Sequence, residues 1–553
     1  MNLSVDLCKL LRKPDFTCII ILLFFIFLSS KAIFHKGFFR TIDDITTVRI
    51  EYLEKELRRN NWFNNFPVRI SGELSNNHGY PLYLFYAPLT YYVGVFFKFL
   101  FSISYIVTTK YVYIFPLLFG PFAFYFAARQ KIPPFPALVA AIFFTLFPYR
   151  GFNTYIRGAV GEAWAISLIP LAIGGLFLLQ KNKKIGGIIF TVAFFLILIS
   201  HNLVGVLFTG LALLYGLFFL IKNWDFWKFF LLAFGMSAFF LIPMIYYLKI
   251  VKVSYHEITT TYILKTLVPL NEMLNIKIYR QGSSGEQLVA ASSYILFFIL
   301  IGGLAFFVHK KIKSGKNFKE VFFWGLCGFA LYMLLFEPFR FFWQWTLQYT
   351  GIFQFSWRLL SLIGFITPLF LGFWLANLKK LYIKITIVLF IVAASLNFLP
   401  AFKPEAYSYF YEYKPEGPCA TTSWQNEFLP VWVNGCPPAK ESLEISPESK
   451  VKMVQDTPLS IKADITVNKE TQLIVNKYYF PGWQILVDGR DSPLDYHFSV
   501  DGIFKTSLTP GKHMVEVVYK KTPIMWLADL ISFASFGILA RLICRISFKK
   551  QNY

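Results

Sequence analysis

Long apolar blocks alternate along the chain with short polar interruptions that are mostly basic. Blocks at 16–34, 111–128, 163–179, 226–248 and 356–376 each approach the roughly 20 residues that a helix needs to cross a bilayer. The interruptions carry Lys9, Arg12 and Lys13; Arg129 and Lys131; Lys181, Lys183 and Lys184; Lys310, Lys311, Lys313, Lys316 and Lys319; Lys379 and Lys380; Lys549 and Lys550. Basic clusters of this kind mark cytoplasmic loops. Holding every cluster on that side predicts twelve spans, near 16–34, 111–128, 136–149, 163–180, 185–200, 204–221, 227–248, 291–309, 320–336, 356–376, 382–399 and 523–545. Both termini are then cytoplasmic. The aromatic stretch 81–101 cannot span without inverting every later loop. It is expected to lie as a helix in the outer interface, where its tyrosines and phenylalanines suit the aromatic belt.

Composition sharpens this picture. Charged residues are 15% of the chain, against about 25% in soluble domains, so an ordinary soluble fold is excluded. The net charge of +23 would suit a nucleic-acid surface, but the cations sit between apolar blocks, where they set topology. No nucleic-acid partner is expected. The first block is long and lacks a small-residue cleavage site, so it is expected to stay as a signal anchor.

Three parts follow: a membrane domain over 1–399 with a large first external loop at 35–110, an extracytoplasmic part over 400–522, and a last span with a cytoplasmic tail over 523–553. The overall class is a polytopic α-helical membrane protein of the inner or plasma membrane. In the extracytoplasmic part, strand-like runs at 451–454, 459–467, 472–479, 484–487 and 514–519 are separated by turns at 480–482, 488–489, 501–502 and 509–511, which predicts a small β-sandwich. Cys419 and Cys436 are the two cysteines on that face, and an oxidising compartment would allow them to pair.

Most unusual polar residues fall on the external face. Asp43 and Asp44 follow the first span and open an amphipathic helix over about 45–59. Two adjacent carboxylates there could hold a divalent cation or act as a base; they equally fit a helix-capping pattern. The loop at 150–162 carries Arg150, Arg157 and Glu162. Forked guanidiniums suit phosphate, and Glu162 is either a second metal ligand or a favourable helix N-terminal charge. His201 and Asn202 break an apolar run at the end of a span, as a functional site or as a capped end. Arg358 opens a later span as a phosphate ligand or a snorkelling cation. Arg69 and His78 carry weaker signals. The segment 281–286 has the composition of a lid or of an inert linker.

With its acidic motif after the first span, its large first external loop and a second interfacial stretch over Gly79-Tyr80-Pro81-Leu82-Tyr83-Leu84-Phe85-Tyr86-Ala87-Pro88-Leu89, the chain resembles the GT-C class of membrane glycosyltransferases. More narrowly it resembles the bacterial membrane proteins called 6-pyruvoyl-tetrahydropterin synthase-related, and the YfhO-type proteins, through Phe66-Pro67-Val68-Arg69, Arg157-Gly158-Ala159-Val160-Gly161-Glu162, Ser200-His201-Asn202-Leu203, Phe355-Ser356-Trp357-Arg358-Leu359-Leu360 and Tyr479-Phe480-Pro481-Gly482-Trp483. No zinc-site spacing supports a pterin synthase. The resemblance implies a sugar donor on a polyprenyl phosphate, an envelope glycan, lipid or protein acceptor, transfer on the outer leaflet, and a Mg or Mn ion as a possible helper. It implies that Asp43, with Asp44 as alternate, acts as base or metal ligand, Glu162 being a second candidate ligand. Arg69, Tyr80, Arg150, Arg157, His201, Asn202 and Arg358 are the expected substrate contacts. Neither aspartate is followed by Glu as in several GT-C enzymes, so the choice between them stays open.

Two other readings compete. A transporter or flippase should place ionisable groups at mid-membrane and often shows repeated halves; here the spans are nearly free of charge and no repeat is visible. A non-catalytic envelope assembly protein would use the β part as a binding module.

Overall fold

The computed structural model describes the chain except residues 1–12, 43–44, 60–65, 254–261, 281, 283, 310–317, 410–414, 416–418, 423–425 and 550–553. Its helices are α1 Lys13–Ser30, α2 Thr46–Arg59, α3 Leu89–Phe101, α4 Tyr105–Arg129, α5 Pro134–Thr145, α6 Val160–Gln180, α7 Lys184–Leu198, α8 Asn202–Phe219 and α9 Trp224–Tyr247. After them come α10 Gly285–His309, with a π-helical stretch at Phe298–Gly302, then α11 Phe318–Met333, α12 Arg340–Thr350, α13 Leu360–Asn377, α14 Leu381–Leu396 and α15 Pro523–Lys549.

Among the described residues, eight helices are long and apolar enough to cross a membrane, or nine if the bent pair Pro134–Thr145 and Pro148–Ile156 forms one span. The expected count of twelve is therefore not met by length alone. A helix lies at each of the twelve expected places, but α7, α11 and α14 have only 15, 16 and 16 described residues. At 1.5 Å per residue they reach about 22–24 Å, short of the roughly 30 Å hydrocarbon core. The stretch 81–101 is a four-residue turn followed by the 13-residue α3.

Local chemistry moves several ends. Helix α4 starts at Tyr105, six residues before the expected 111, because the Ser104 side chain accepts the Val107 N–H and caps it. The loop expected at 150–162 is largely helical: Pro148 starts a new turn and a π turn runs over Phe152–Ile156. Of the segment 281–286, read as a lid or an inert linker, residues 281 and 283 lie outside the described residues, and its end starts α10, where Ser284 and Gln287 form a reciprocal capping box.

The basic clusters meet at one end of the bundle. Asp15 at the head of α1 accepts from Arg129 Nε and from the Tyr125 hydroxyl, both at 2.6 Å. Lys131 donates to Glu320 at 2.6 Å, and Tyr215 donates to the same carboxylate at 2.7 Å.

At the opposite end stands the β part. Strands β4 Lys450–Thr457, β5 Ser460–Val467, β10 Gly511–Tyr519, β7 Trp483–Val487 and β8 Arg490–Ser492 form one antiparallel sheet in that order. Strands β3 Leu443–Glu444, β6 Thr471–Tyr478 and β9 Ile503–Leu508 form another. Alternate residues Ile461, Ala463, Ile465 and Val467 of the first sheet are buried together with Leu473, Val475 and Phe504 of the second, the period-two pattern of strands sharing a core. Asp488 and Gly489, at φ +54° and +77°, make the tight β7–β8 turn that needs left-handed backbone at both positions. Cys419 and Cys436 are disulfide-bonded.

The first external loop is stitched to this part. Phe38–Phe39 pairs antiparallel with Tyr407–Ser408. His78 sits between the carbonyls of Asn476 and Pro438, at 2.9 and 3.1 Å.

Candidate functional site

The site grows from a break in the helical ladder. The π turn ends at Ile156, and Gly158 takes φ +75°. A side chain at Gly158 would strike the Thr41 hydroxyl at 2.3 Å, so the glycine lets the 156–158 turn lie directly against the first loop. Ile42 N–H donates to the Ile156 carbonyl at 2.8 Å, and the Tyr113 hydroxyl donates to the Gly158 carbonyl at 2.8 Å. Thr46 reaches Tyr113 at 3.4 Å. Asp43 and Asp44 lie outside the described residues, but Ile42 and Thr46 on either side of them are held to this turn.

Glu162 follows in the first turn of α6, where the exposed N–H groups favour an anion. It is fully buried. Its Oε2 lies 2.9 Å from Arg157, 3.7 Å from Arg358 Nε and 3.9 Å from His201 Nε2. Its Oε1 accepts from the Tyr149 hydroxyl. Each partner is positioned by its own element. Gly161 packs on the Ser200 carbonyl, where an added Cβ would sit at 2.4 Å; this draws the head of α8 against α6. His201 then caps α8, its Nδ1 accepting the Val204 N–H at 3.2 Å, and turns Nε2 toward Glu162. His201 is thus a helix cap whose second ring nitrogen faces Glu162. Arg157 also donates to Asn153 at 3.0 Å and lies over the Trp357 ring at 4.9 Å. Arg358 donates from Nη1 to the Phe353 carbonyl and to Gln354, both at 2.9 Å. Two buried donors here, Arg358 Nε and Asn153 Nδ2, have no hydrogen-bond acceptor among the described residues.

Chemically, Arg358 Nε and Asn153 Nδ2 are two unsatisfied N–H donors beside the guanidiniums that face Glu162. Leaving buried donors unpaired costs about 1–3 kcal/mol each, so the arrangement suits an added anion with several acceptor oxygens. Both oxygens of Glu162, the second candidate metal ligand, are engaged by these partners in this structure. Among the described residues no group of three or more His, Cys, Asp or Glu side chains converges as metal ligands.

The remaining expected contacts lie elsewhere. Arg150 turns into the bundle, donating to the Thr145 and Pro116 carbonyls at 3.1 and 2.7 Å over the Phe144 ring; the π turn takes it out of phase with Arg157. Arg69 is buried and pairs with Asp529 of α15 at 2.6 Å. The Tyr80 hydroxyl donates to the Glu427 carbonyl. Asn202 donates to the Phe85 carbonyl at 2.9 Å, one residue from the cluster but facing away from it. Tyr149, Asn153, Gln354 and Trp357 were not singled out from sequence. Each adjoins a flagged arginine or lies within a few residues of one, which was the one available signal.

No family model and no curated protein matches the sequence. Solved structures similar in shape include the arabinofuranosyltransferase AftD from Mycobacteria, at 14% identity and TM-score 0.46, covering 70% of this chain and 27% of that one. The Archaeoglobus fulgidus oligosaccharyltransferase is similar at 13% identity and TM-score 0.39, covering 71% and 57%. Its complex with an inhibitory peptide and a dolichol-phosphate is similar at 12% identity and TM-score 0.35, covering 70% and 56%. The chain thus spans about a quarter of the mycobacterial protein and little more than half of the archaeal one.

Proposed function

We propose that this chain is a membrane glycosyltransferase of the GT-C kind, moving a sugar from a polyprenyl-phosphate donor to a hydroxyl or amide acceptor on the extracytoplasmic face. The observation that carries the reading is the pair of buried donors beside Glu162, Arg358 Nε and Asn153 Nδ2, which have no acceptor among the described residues. A phosphate supplies the missing acceptors. In the transfer, the acceptor heteroatom bonds to the anomeric carbon, the bond from that carbon to the phosphate oxygen breaks, and the acceptor proton passes to an aspartate. Arg157 and Arg358 would stabilise the charge growing on the departing phosphate. Asp43, with Asp44 as alternate, is the proposed base; the tethering of Ile42 and Thr46 to the Arg157 turn supports that role.

Mass spectrometry of lipid that co-purifies in mild detergent tests this. Polyprenyl phosphate is expected on the wild type and on Asp43→Asn, and lost from Arg358→Ala, with transfer abolished in Asp43→Asn. Bulk phospholipid alone on all three proteins would refute the donor assignment.

A further inference from the structure

Helix α12, Arg340–Thr350, lies between two longer apolar helices. Its 11 residues reach about 17 Å, so it cannot cross a bilayer. Three aromatic residues four positions apart line one side: Phe341, Trp345 and Tyr349 are 65%, 82% and 73% exposed. The opposite side is anchored, with Trp343 buried and its indole donating to the Leu334 carbonyl at 2.8 Å. Gln344 and Gln348 are exposed on the flank. Large aromatics at such exposure, in a row, are a patch that water disfavours. The chain says what covers it. α11 ends at Met333, and the membrane-length helix Ser356–Asn377 begins six residues beyond Thr350. α12 is therefore held at the head of a bilayer helix, where amphipathic helices rich in Trp, Phe and Tyr lie in the interface.

Both ends of α12 are pinned to one short segment. Ahead of it, Val268 N–H donates to Leu335 at 2.9 Å and Glu337 N–H to Val268 at 3.0 Å. Behind it, Ser356 exchanges bonds with Thr266 at 2.8 and 2.9 Å. Between the end of α12 and that second anchor stand the Phe353 carbonyl and the Gln354 amide, the two groups that hold Arg358.

We propose that the Phe341–Trp345–Tyr349 face is seated in the lipid leaflet on the site's side, and that this seat sets the position of Arg358. The membrane is then part of the site: lipid holds α12, α12 holds Gln354 and the Phe353 carbonyl, and these aim the guanidinium. The seating stands on the exposure pattern alone, whereas the consequence for donor binding rests on the function proposed above.

Spin labels in lipid nanodiscs of phosphatidylglycerol and phosphatidylethanolamine separate the two parts. In a background with Cys8, Cys18, Cys327 and Cys544 replaced by Ser, a nitroxide at Trp345→Cys is expected to collide with oxygen far more than with a water-soluble nickel chelate. The ratio should fall several-fold at Gln344→Cys. High nickel access at 345 would overturn the seat, and low access to both probes would mean that protein, not lipid, covers it. For the coupling, the triple variant Phe341→Ser, Trp345→Ser and Tyr349→Ser should raise the donor KM at least tenfold with kcat within threefold. The aromatic-retaining Phe341→Trp with Tyr349→Trp should restore it. A lipid-seated label with an unchanged KM in the triple variant would overturn the coupling. Absence of any transfer activity would count against the proposed function while leaving the depth result intact.

Discussion

Substituting Glu162 by Gln should harm the fold more than substituting any one of its partners. Among the described residues, Glu162 is the carboxylate that faces both Arg157, at 2.9 Å, and Arg358, at 3.7 Å. Neutralising it removes the negative charge that both buried guanidiniums share. Breaking a buried pair in this way costs about 3–5 kcal/mol. Arg157→Gln is different, because Glu162 keeps Arg358, the Tyr149 hydroxyl and His201 within reach. Its cost should be nearer one lost charge-assisted hydrogen bond, about 1.5–3 kcal/mol. The double variant Glu162→Gln with Arg157→Gln should then be more stable than Glu162→Gln alone, since one of the stranded cations is gone. Reversible unfolding in mixed detergent and SDS micelles, followed by tryptophan fluorescence, gives all three free energies. If Glu162→Gln is within 1 kcal/mol of wild type, or the double variant simply adds the two losses, the carboxylate is not the hub of the cluster.

Three further outcomes follow from the external parts. Burial pushes the Glu56 carboxyl up from 4.5 to about 6, against the Gly72 N–H bond at 2.8 Å and the cations Arg59 and Lys477. A raised carboxyl stabilises the fold when protonated, so its contribution is complete below about pH 4.5 and lost as pH rises through about 6; Glu56→Gln should gain about 2 kcal/mol at pH 8 and almost nothing at pH 4.5, read by unfolding at both pH values. Asp529→Asn should cost about 3 kcal/mol or more by the same measurement, because Arg69 stays buried without its partner, while Lys521→Ala, which removes the other cation on that carboxylate, should cost less, since Asp529 keeps Arg69. Replacing Cys419 and Cys436 by Ser should destabilise the 400–522 part by about 3 kcal/mol, the chain-entropy value for a loop of this length, seen as a matching loss when the wild type is reduced with dithiothreitol.

The apolar blocks made the helices legible because bilayer-length runs and basic interruptions survive without any tertiary knowledge. Their ends were less so. Ser104 and Ser284 extend α4 and α10 through side-chain caps, a local contest that block length does not register. For the site, sequence could say only that Glu162, His201 and Arg358 share a face of the membrane. Their approach to one carboxylate depends on close backbone contacts at Gly158 and Gly161, which nothing in the spacing announces. Arg150 and Arg69 look like equal candidates in the sequence. One is turned inward by a π turn, and the other is claimed by an aspartate hundreds of residues away. The α12 helix escaped notice because its aromatic row at every fourth position is interrupted by Arg340, Gln344 and Gln348, and its length disqualified it as a span.

That pairing of Arg69 with Asp529 bears on how the protein is made. The two residues are 460 positions apart. At a synthesis rate of about 5–20 residues per second, a ribosome needs roughly 25–90 s to travel from one to the other. Throughout that interval the arginine is already at the membrane surface and its counter-ion does not yet exist. Any product that stops short of the last helix carries this stranded cation permanently, which gives quality-control proteases a physical mark by which an unfinished chain differs from a finished one.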